Sequence, residues 1–263
     1  SHVQVHNNEY LKNEEIDLTV KKQEEIIQCI DSLSGISGWV MRTKVIAMAN
    51  TPWANTGIII NGIDPEKEKQ VTEIYTEILP GAGEYLNNDN PGEMLISDKT
   101  AETLKLKQYI ITDQMIEELI EQDVPESILE QLKGLKDARF RSPKDFRESL
   151  KEAFNKKELD RYGSQIMDMA LDYRIKSKIQ ITISDLKGNP VQGIFRVCGI
   201  YKTTNTSFDQ ANAFVNAGEL AALYGYDNVL THEIAILLDN IDEAGTMKEK
   251  LSSIAPDNSL MTR

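Results

Sequence analysis

Gly57-Ile-Ile-Ile-Asn-Gly-Ile-Asp-Pro-Glu66 is the stretch on which the reading of this chain turns, because a strand gives way to a helix inside it. Gly57 to Gly62 is a short apolar run bounded by glycines, as in a buried strand. Asp64 can accept backbone N–H groups as an N-cap, and Pro65 has its φ pre-set and no helical hydrogen bond to lose. Val71, Ile74, Tyr75, Ile78 and Leu79 recur at helical spacing, which predicts a helix continuing from Pro65. The acidic residues here serve capping and the helix dipole, not general acid or base chemistry. A second stretch, Phe195-Arg-Val-Cys-Gly-Ile-Tyr-Lys-Thr203, closes a strand from Val191 to Tyr201 in which Gly199 marks a bulge.

Upstream, Val3 and Val5 alternate with Gln4 and His6 as in a half-buried strand, and Ile26, Ile27, Ile30 and Leu33 share a helical face that stops at Gly35 and Gly38. Trp39 to Ala49 reads as a strand ended by Pro52. Downstream, Pro80-Gly-Ala-Gly83 reads as a turn, Met94 to Ile96 as a strand, Asp98 as a cap and Ala101 to Leu106 as a short helix. Thr112 to Asp172 reads as helices, with Pro125 and Pro143 as first helical residues and Ser142 to Asp145 as a capping box. Ile179, Ile181 and Ile183 alternate in a strand that turns at Gly188-Asn-Pro190. Ala213 to Val215 is a strand, Ala217 to Tyr224 a helix, His232 to Leu238 a strand and Ile241 to Ile254 the closing helix. Strands and helices mix without a run of parallel β-α-β repeats, which predicts an α+β fold.

Taken in order, Ser1 to Asn7, Gly57 to Glu66, Gly92-Glu-Met-Leu-Ile-Ser-Asp-Lys-Thr-Ala-Glu-Thr-Leu-Lys-Leu-Lys107, Phe195 to Thr203 and Lys202-Thr-Thr-Asn-Thr-Ser-Phe-Asp-Gln210 resemble the extracytoplasmic core domain of MacB, LolC/LolE and FtsX-like ABC-transporter permeases. The resemblance implies two lobes. A discontinuous, porter-like, membrane-proximal β-α-β lobe would comprise residues 1–55 and 228–263, and a distal mixed α/β lobe residues 56–227. Residues from about 112 to 172 would be an extra helical insertion, where the short form of the family passes almost directly into a hairpin.

The formal charge of −13 argues against a nucleic-acid partner, since phosphate binding needs clustered Lys and Arg. In or beside the insertion Phe140, Phe146, Phe154, Tyr162 and Tyr173 are interleaved with Arg139, Arg141, Arg147 and Arg161. Its fifteen Asp and Glu against ten Lys and Arg from Asp113 to Asp172 nevertheless make an electronegative surface the expectation. No window approaches the roughly 18 to 20 apolar residues of a membrane span, and no signal-peptide pattern opens the chain. Cys29 and Cys198 form no CxxC and read as separate buried thiols, Cys29 on a helical face and Cys198 in a strand.

Catalytic machinery is missing from the pattern. The three histidines, His2, His6 and His232, lie in apparent strands and read as surface or packing residues. No His-Glu-x-x-His, Gly-x-Ser-x-Gly or Walker-type loop is present, so no catalytic, cofactor-binding or metal residue is assigned and no cofactor is expected. Asp64 and Asp209 read as structural carboxylates rather than calcium ligands.

The resemblance therefore implies a non-enzymatic periplasmic segment of an inner-membrane permease. It would transmit motion driven by a cytoplasmic ABC ATPase subunit, beside a second permease subunit, to a substrate, adaptor, lipoprotein or chaperone. A free-standing periplasmic binding module and a secreted α+β enzyme are the rival readings. Both would lack membrane helices on the two flanks.

Overall fold

The computed structural model describes residues 1–13, 15–185, 187–225 and 229–262. The strands are β1 (Val3–Asn7), β2 (Ile36–Asn50), β3 (Asn55–Ile63), β4 (Ile78–Gly83), β5 (Glu93–Ser97), β6 (Lys107–Ile110), β7 (Arg139–Phe140) and β8 (Leu171–Tyr173). After them come β9 (Lys178–Ser184), β10 (Pro190–Tyr201), β11 (Asn212–Asn216), β12 (Glu233–Leu238) and β13 (Asn258–Thr262). With the helices between them they make the mixed α+β fold expected from the sequence.

β2 organises this sheet because it changes partners half-way. β12 pairs with it antiparallel from Ile36 to Arg42, and β3 pairs with it from Thr43 to Asn50. Side chains alternate across a strand, so one row of β2 serves two cores. Trp39 and Met41 pack on a core built from both ends of the chain, while Val45, Ala47 and Ala49 enter another.

The core built from the two ends combines Val3 and Val5 of β1 with Ile26 and Ile30, Ile234, Ile236 and Leu238 of β12, and Met247, Leu251 and Leu260. β1 lies between β12 and β13, with Val3 beside both Ile236 and Thr262. The helix Ala244–Ile254 packs against Gln23–Ser32 and β13. The strand carrying Ile234, Ile236 and Leu238 thus shares a sheet with the one carrying Val45.

Beyond Arg42 the sheet closes on itself. β2 pairs with β3, β3 with β11, β11 with β5, β5 with β10, β10 with β9, and β9 returns to β2 at Met48 to Asn50. The alternating β-branched residues explain the filling: Ile58, Ile60, Ile179, Ile181, Ile183 and Val197 point inward with Met94, Ile96, Phe195 and Val215. Residues one position away, such as Ile46, Met48 and Ile194, face outward and are exposed.

The helices Asp113–Glu121, Glu126–Lys133, Pro143–Ala153 and Lys156–Met169 have a core of their own around Leu119, Leu132, Phe146, Leu150 and Ile166. Ser142 caps the third helix, and Asn155 forms a capping box with Glu158 at the start of the fourth. This segment is not wholly helical, as its pattern suggests. β7 and β8 flank β6 antiparallel in a small sheet, and strands of two or three residues are too short to leave a period.

The helix predicted from Pro65 to Leu79 is also shorter than its periodicity indicates. It ends at Glu68, and after a 3-10 turn at Ile74–Thr76 the chain becomes the edge strand β4, so Pro80-Gly-Ala-Gly83 is strand and not turn. Pairing with β10 overrides the local pattern, and a proline is tolerated at an edge. β4 and β10 approach so closely that a Cβ on Gly83 or Gly199 would overlap a carbonyl oxygen of the other strand's neighbourhood. The register of β10 shifts at Gly199, where the bulge is expected. β13 has no counterpart in the sequence reading, and the lobe boundary expected at residues 227 and 228 lies outside the described residues.

The inside and outside of the closed sheet make a direct test. Ile60→Ala, in the interior, is expected to lower the unfolding free energy by about 2–5 kcal/mol in urea denaturation. Ile46→Ala, on the outer face, is expected to change it by less than about 0.5 kcal/mol. Similar losses for the two would contradict the closure.

Candidate functional site

Where β2 changes partners it carries an arginine instead of an apolar residue. Arg42 stands directly opposite Glu233 in the β2–β12 register, and both are buried. Two nearly buried charges in strands are unstable unless each finds partners. Arg42 Nη1 donates to Glu233 Oε1, while Nε and Nη2 donate to Glu68 Oε2 and Oε1 at 3.0 and 2.7 Å in a two-pronged contact.

The short helix after β3 supplies Glu68. Asp64 accepts from the N–H groups of Glu66 and Lys67 at 3.1 and 3.5 Å, with Pro65 at the first helical position. The Ile-Asp-Pro-Glu stretch thus delivers a buried carboxylate to Arg42, and Thr72 Oγ1 donates to the same carboxylate at 2.9 Å.

Lys44, two residues along the same face of β2, donates to Glu233 Oε2 at 2.7 Å, and His6 Nε2 lies 3.5 Å from that oxygen. Two cations and two carboxylates balance when His6 is neutral. His6 Nδ1 donates to the His232 carbonyl at 3.1 Å, and Tyr10 stacks on the His6 ring at 6.0 Å between centroids. His232 Nδ1 accepts from the Lys44 N–H at 3.1 Å, and its Nε2 donates to the Ile16 carbonyl at 2.9 Å, as a neutral ring does. A small cleft of about 110 Å³, lined by His6, Tyr10, Lys44 and Glu233 among others, opens beside the cluster.

The electrostatics follow from burial and neighbours. Burial alone would raise the Glu233 pKa, but Arg42, Lys44 and His6 outweigh it and hold the carboxyl down to about 2. Burial would lower that of Arg42, yet Glu233 and Glu68 push it above its ordinary value. For His6, burial prevails over the pull of Glu233 and lowers the pKa, and burial does the same to His232. The arrangement is a charge-balanced joint. It presents no nucleophile paired with a base.

His6 and His232, expected at a surface or in packing, are both buried and meet here around Tyr10. His2 lies apart and accepts from the Leu238 N–H. Asp64 is a cap, and Asp209 accepts from Thr203 N and Oγ1 at 3.0 and 2.7 Å, so each is held locally. Among the described residues no group of three or more His, Cys, Asp or Glu is arranged to hold a metal ion. Cys29 and Cys198 are free and half-buried on different cores, and burial pushes the Cys198 thiol up to about 12. Arg42, Glu68 and Glu233 have no place in the sequence reading. The one signal is Glu233, a charge on a strand row whose other members, Ala235 and Leu237, are apolar.

Acid is expected to loosen this joint in two stages. The folded pKa values of His6 and His232 lie below 6.5 and that of Glu233 below 4.5, so the unfolded chain binds more protons and stability falls as pH falls. The histidine part is lost from about pH 6.5 downward, and the Glu233 part from about 4.5 to about 2. Glu233→Gln should lower the unfolding free energy by about 3–5 kcal/mol at neutral pH, because it leaves the buried Arg42 and the half-buried Lys44 with one carboxylate. It should also flatten the acid limb. Denaturant titrations at several pH values check both, and an unaltered acid limb would contradict the assignment.

No protein-family model matches the chain, and no curated protein matches it in sequence. Among solved structures, the extracellular domain of the noncanonic ABC-type transporter YknZ from Gram-positive bacteria aligns over 100% of both chains, with a TM-score of 0.50 at 12% identity. The periplasmic region of MacB from Actinobacillus actinomycetemcomitans aligns over 99% of this chain and 87% of its own, with a TM-score of 0.47 at 9% identity. No helix among the described residues is long and apolar enough to cross a membrane. The chain has the fold of the YknZ extracellular domain.

Proposed function

We propose that this chain is the extracytoplasmic domain of an ABC-transporter permease of the MacB, LolC/LolE and FtsX-like kind. In that role it passes ATPase-driven motion to an extracytoplasmic substrate or partner. The observation that carries the reading is the full-length likeness of fold to the YknZ extracellular domain.

The arrangement of the ends supports it. Val3 pairs with Thr262 in neighbouring antiparallel strands, so chain continuing from both ends would leave from one edge of the sheet. Membrane helices on the two flanks would then meet the domain at one place. In this reading residues 1–55 and 228–263 form the membrane-proximal lobe and residues 56–227 the distal one. β2 belongs to the first of these and pairs with β12 as far as Arg42, then with β3, which leads into the second, so the Arg42 joint stands where the two meet. A push on the ends is carried along a continuous strand instead of through a flexible linker.

The cytoplasmic ATPase and the second permease subunit act through the membrane part, and an adaptor, lipoprotein or chaperone meets the distal lobe. The isolated domain is then a monomer or a weak dimer, because the membrane part holds the assembly together.

The test uses the full-length protein with its ATPase. Spin labels replace the exposed residues Glu24, on the terminal core, and Glu148, on the helical segment. The label separation is expected to shift when ATP is bound and to return after hydrolysis. Identical distance distributions in all nucleotide states, or a full-length product that stays out of the membrane fraction, would overturn the reading.

A further inference from the structure

A cluster of arginines stands apart from the ionic joint. The guanidinium carbons of Arg174 and Arg141 lie 4.0 and 4.6 Å from the ring centroid of Trp53. The topology brings them together: Arg139 ends the sheet on β7, Arg141 follows it, and Arg174 follows β8, with β6 between the two strands. Trp53 sits in a turn pinned by Thr51, whose Oγ1 accepts from the Trp53 and Ala54 N–H groups and donates to the Leu104 carbonyl at 3.0 Å. The Arg174 N–H donates to the Leu106 carbonyl at 2.9 Å, so both sides of the stack are anchored.

In a chain of net charge −13, clustered arginines ordinarily find carboxylates. These do not. Among the described residues none of the three forms an ion pair, and Arg174 Nη1 is buried without a hydrogen-bond partner. The nearby carboxylates are engaged elsewhere: Asp98 holds Lys107 and Tyr173, and Asp172 accepts from Gln108. Burial lowers the Arg174 pKa, and Arg141 and Arg139 lower it further with no acid to offset them. A buried guanidinium donor without an acceptor is destabilising, and an oxyanion with several lone pairs is what planar, forked donors match.

We propose that Arg174 and Arg141, held on Trp53 and supported by Arg139, form a binding site for a phosphate group. The phosphate lies against the exposed Arg141 and the partly exposed Arg174 and neutralises the mutual repulsion of the guanidiniums. The stack on Trp53 places the donors before the ligand arrives, so little ordering is lost on binding.

Trp53 is itself the reporter. In a Trp39→Phe background its emission is titrated with inorganic phosphate against sodium chloride of equal ionic strength. A saturable response to phosphate is expected, weakened about tenfold or more in Arg174→Gln and in the exposed-site variant Arg141→Gln. Circular dichroism and unfolding midpoints verify that each variant is folded, and Arg141→Gln carries the test if Arg174→Gln is not. A response that chloride reproduces, or that both variants retain, overturns the proposal. Two further arms separate the sources of the phosphate. A response to glycerol 3-phosphate without co-sedimentation on phosphatidylglycerol vesicles assigns a soluble ester. Co-sedimentation that Arg141→Gln abolishes assigns a lipid head group.

Discussion

Arg42, buried between Glu68 and Glu233, is the constraint on which the architecture depends. A guanidinium cannot be left without counter-charges where it is, so it dictates the positions of the groups that surround it. Glu233 must lie opposite on β12, which fixes that strand's register. Glu68 must arrive from the far side, which fixes the helix that follows β3. Lys44 and the neutral His6 complete the balance, and His6 brings β1, the first strand of the chain, into the same group. Residues far apart in sequence are tied at the one place where β2 changes partners.

An apolar residue at Arg42 could bind the strands as strongly, since buried ion pairs are rarely the most stable filling. The ionic choice instead gives a joint specific in register and sensitive to charge. A strand pair held by packing alone tolerates slippage that a paired Arg and Glu at matched positions do not. For a domain read as carrying motion from its ends to its distal part, a fixed register along β2 is the relevant property. The phosphate site proposed at Trp53, in the turn between β2 and β3 and beside the ends of β7 and β8, stands independently of that joint.

Much of this was legible in the residues, and the exceptions share a cause. Alternation identified β1, β2, β9 and β12, because apolar residues at every second position have one physical reading. Capping chemistry located the starts at Asp64-Pro65 and Ser142, and missed by one residue at the helix Asp98–Thr103, where Ser97 and not Asp98 is the cap. The helix expected to run to Leu79 failed because β4 is defined by what it pairs with, not by its own pattern. β7, β8 and β13 escaped for the same reason. The joint was invisible because its residues share no motif: Arg42, Glu68 and Glu233 become a unit only when the sheet sets them side by side. Glu233, a charge on a row of β12 shared with Ala235 and Leu237, was the available signal, and it points to burial without naming the partner.

Native-state hydrogen exchange along β2 tests the central claim most directly. If the Arg42 joint makes the terminal core and the closed sheet one cooperative unit, amides at residues 39–41 and 45–47 should open with the same free energy in the intact protein. In Glu68→Gln the two groups should separate, with residues 39–41 losing protection first. Separate opening in the intact protein, or equal protection retained in Glu68→Gln, would contradict the account.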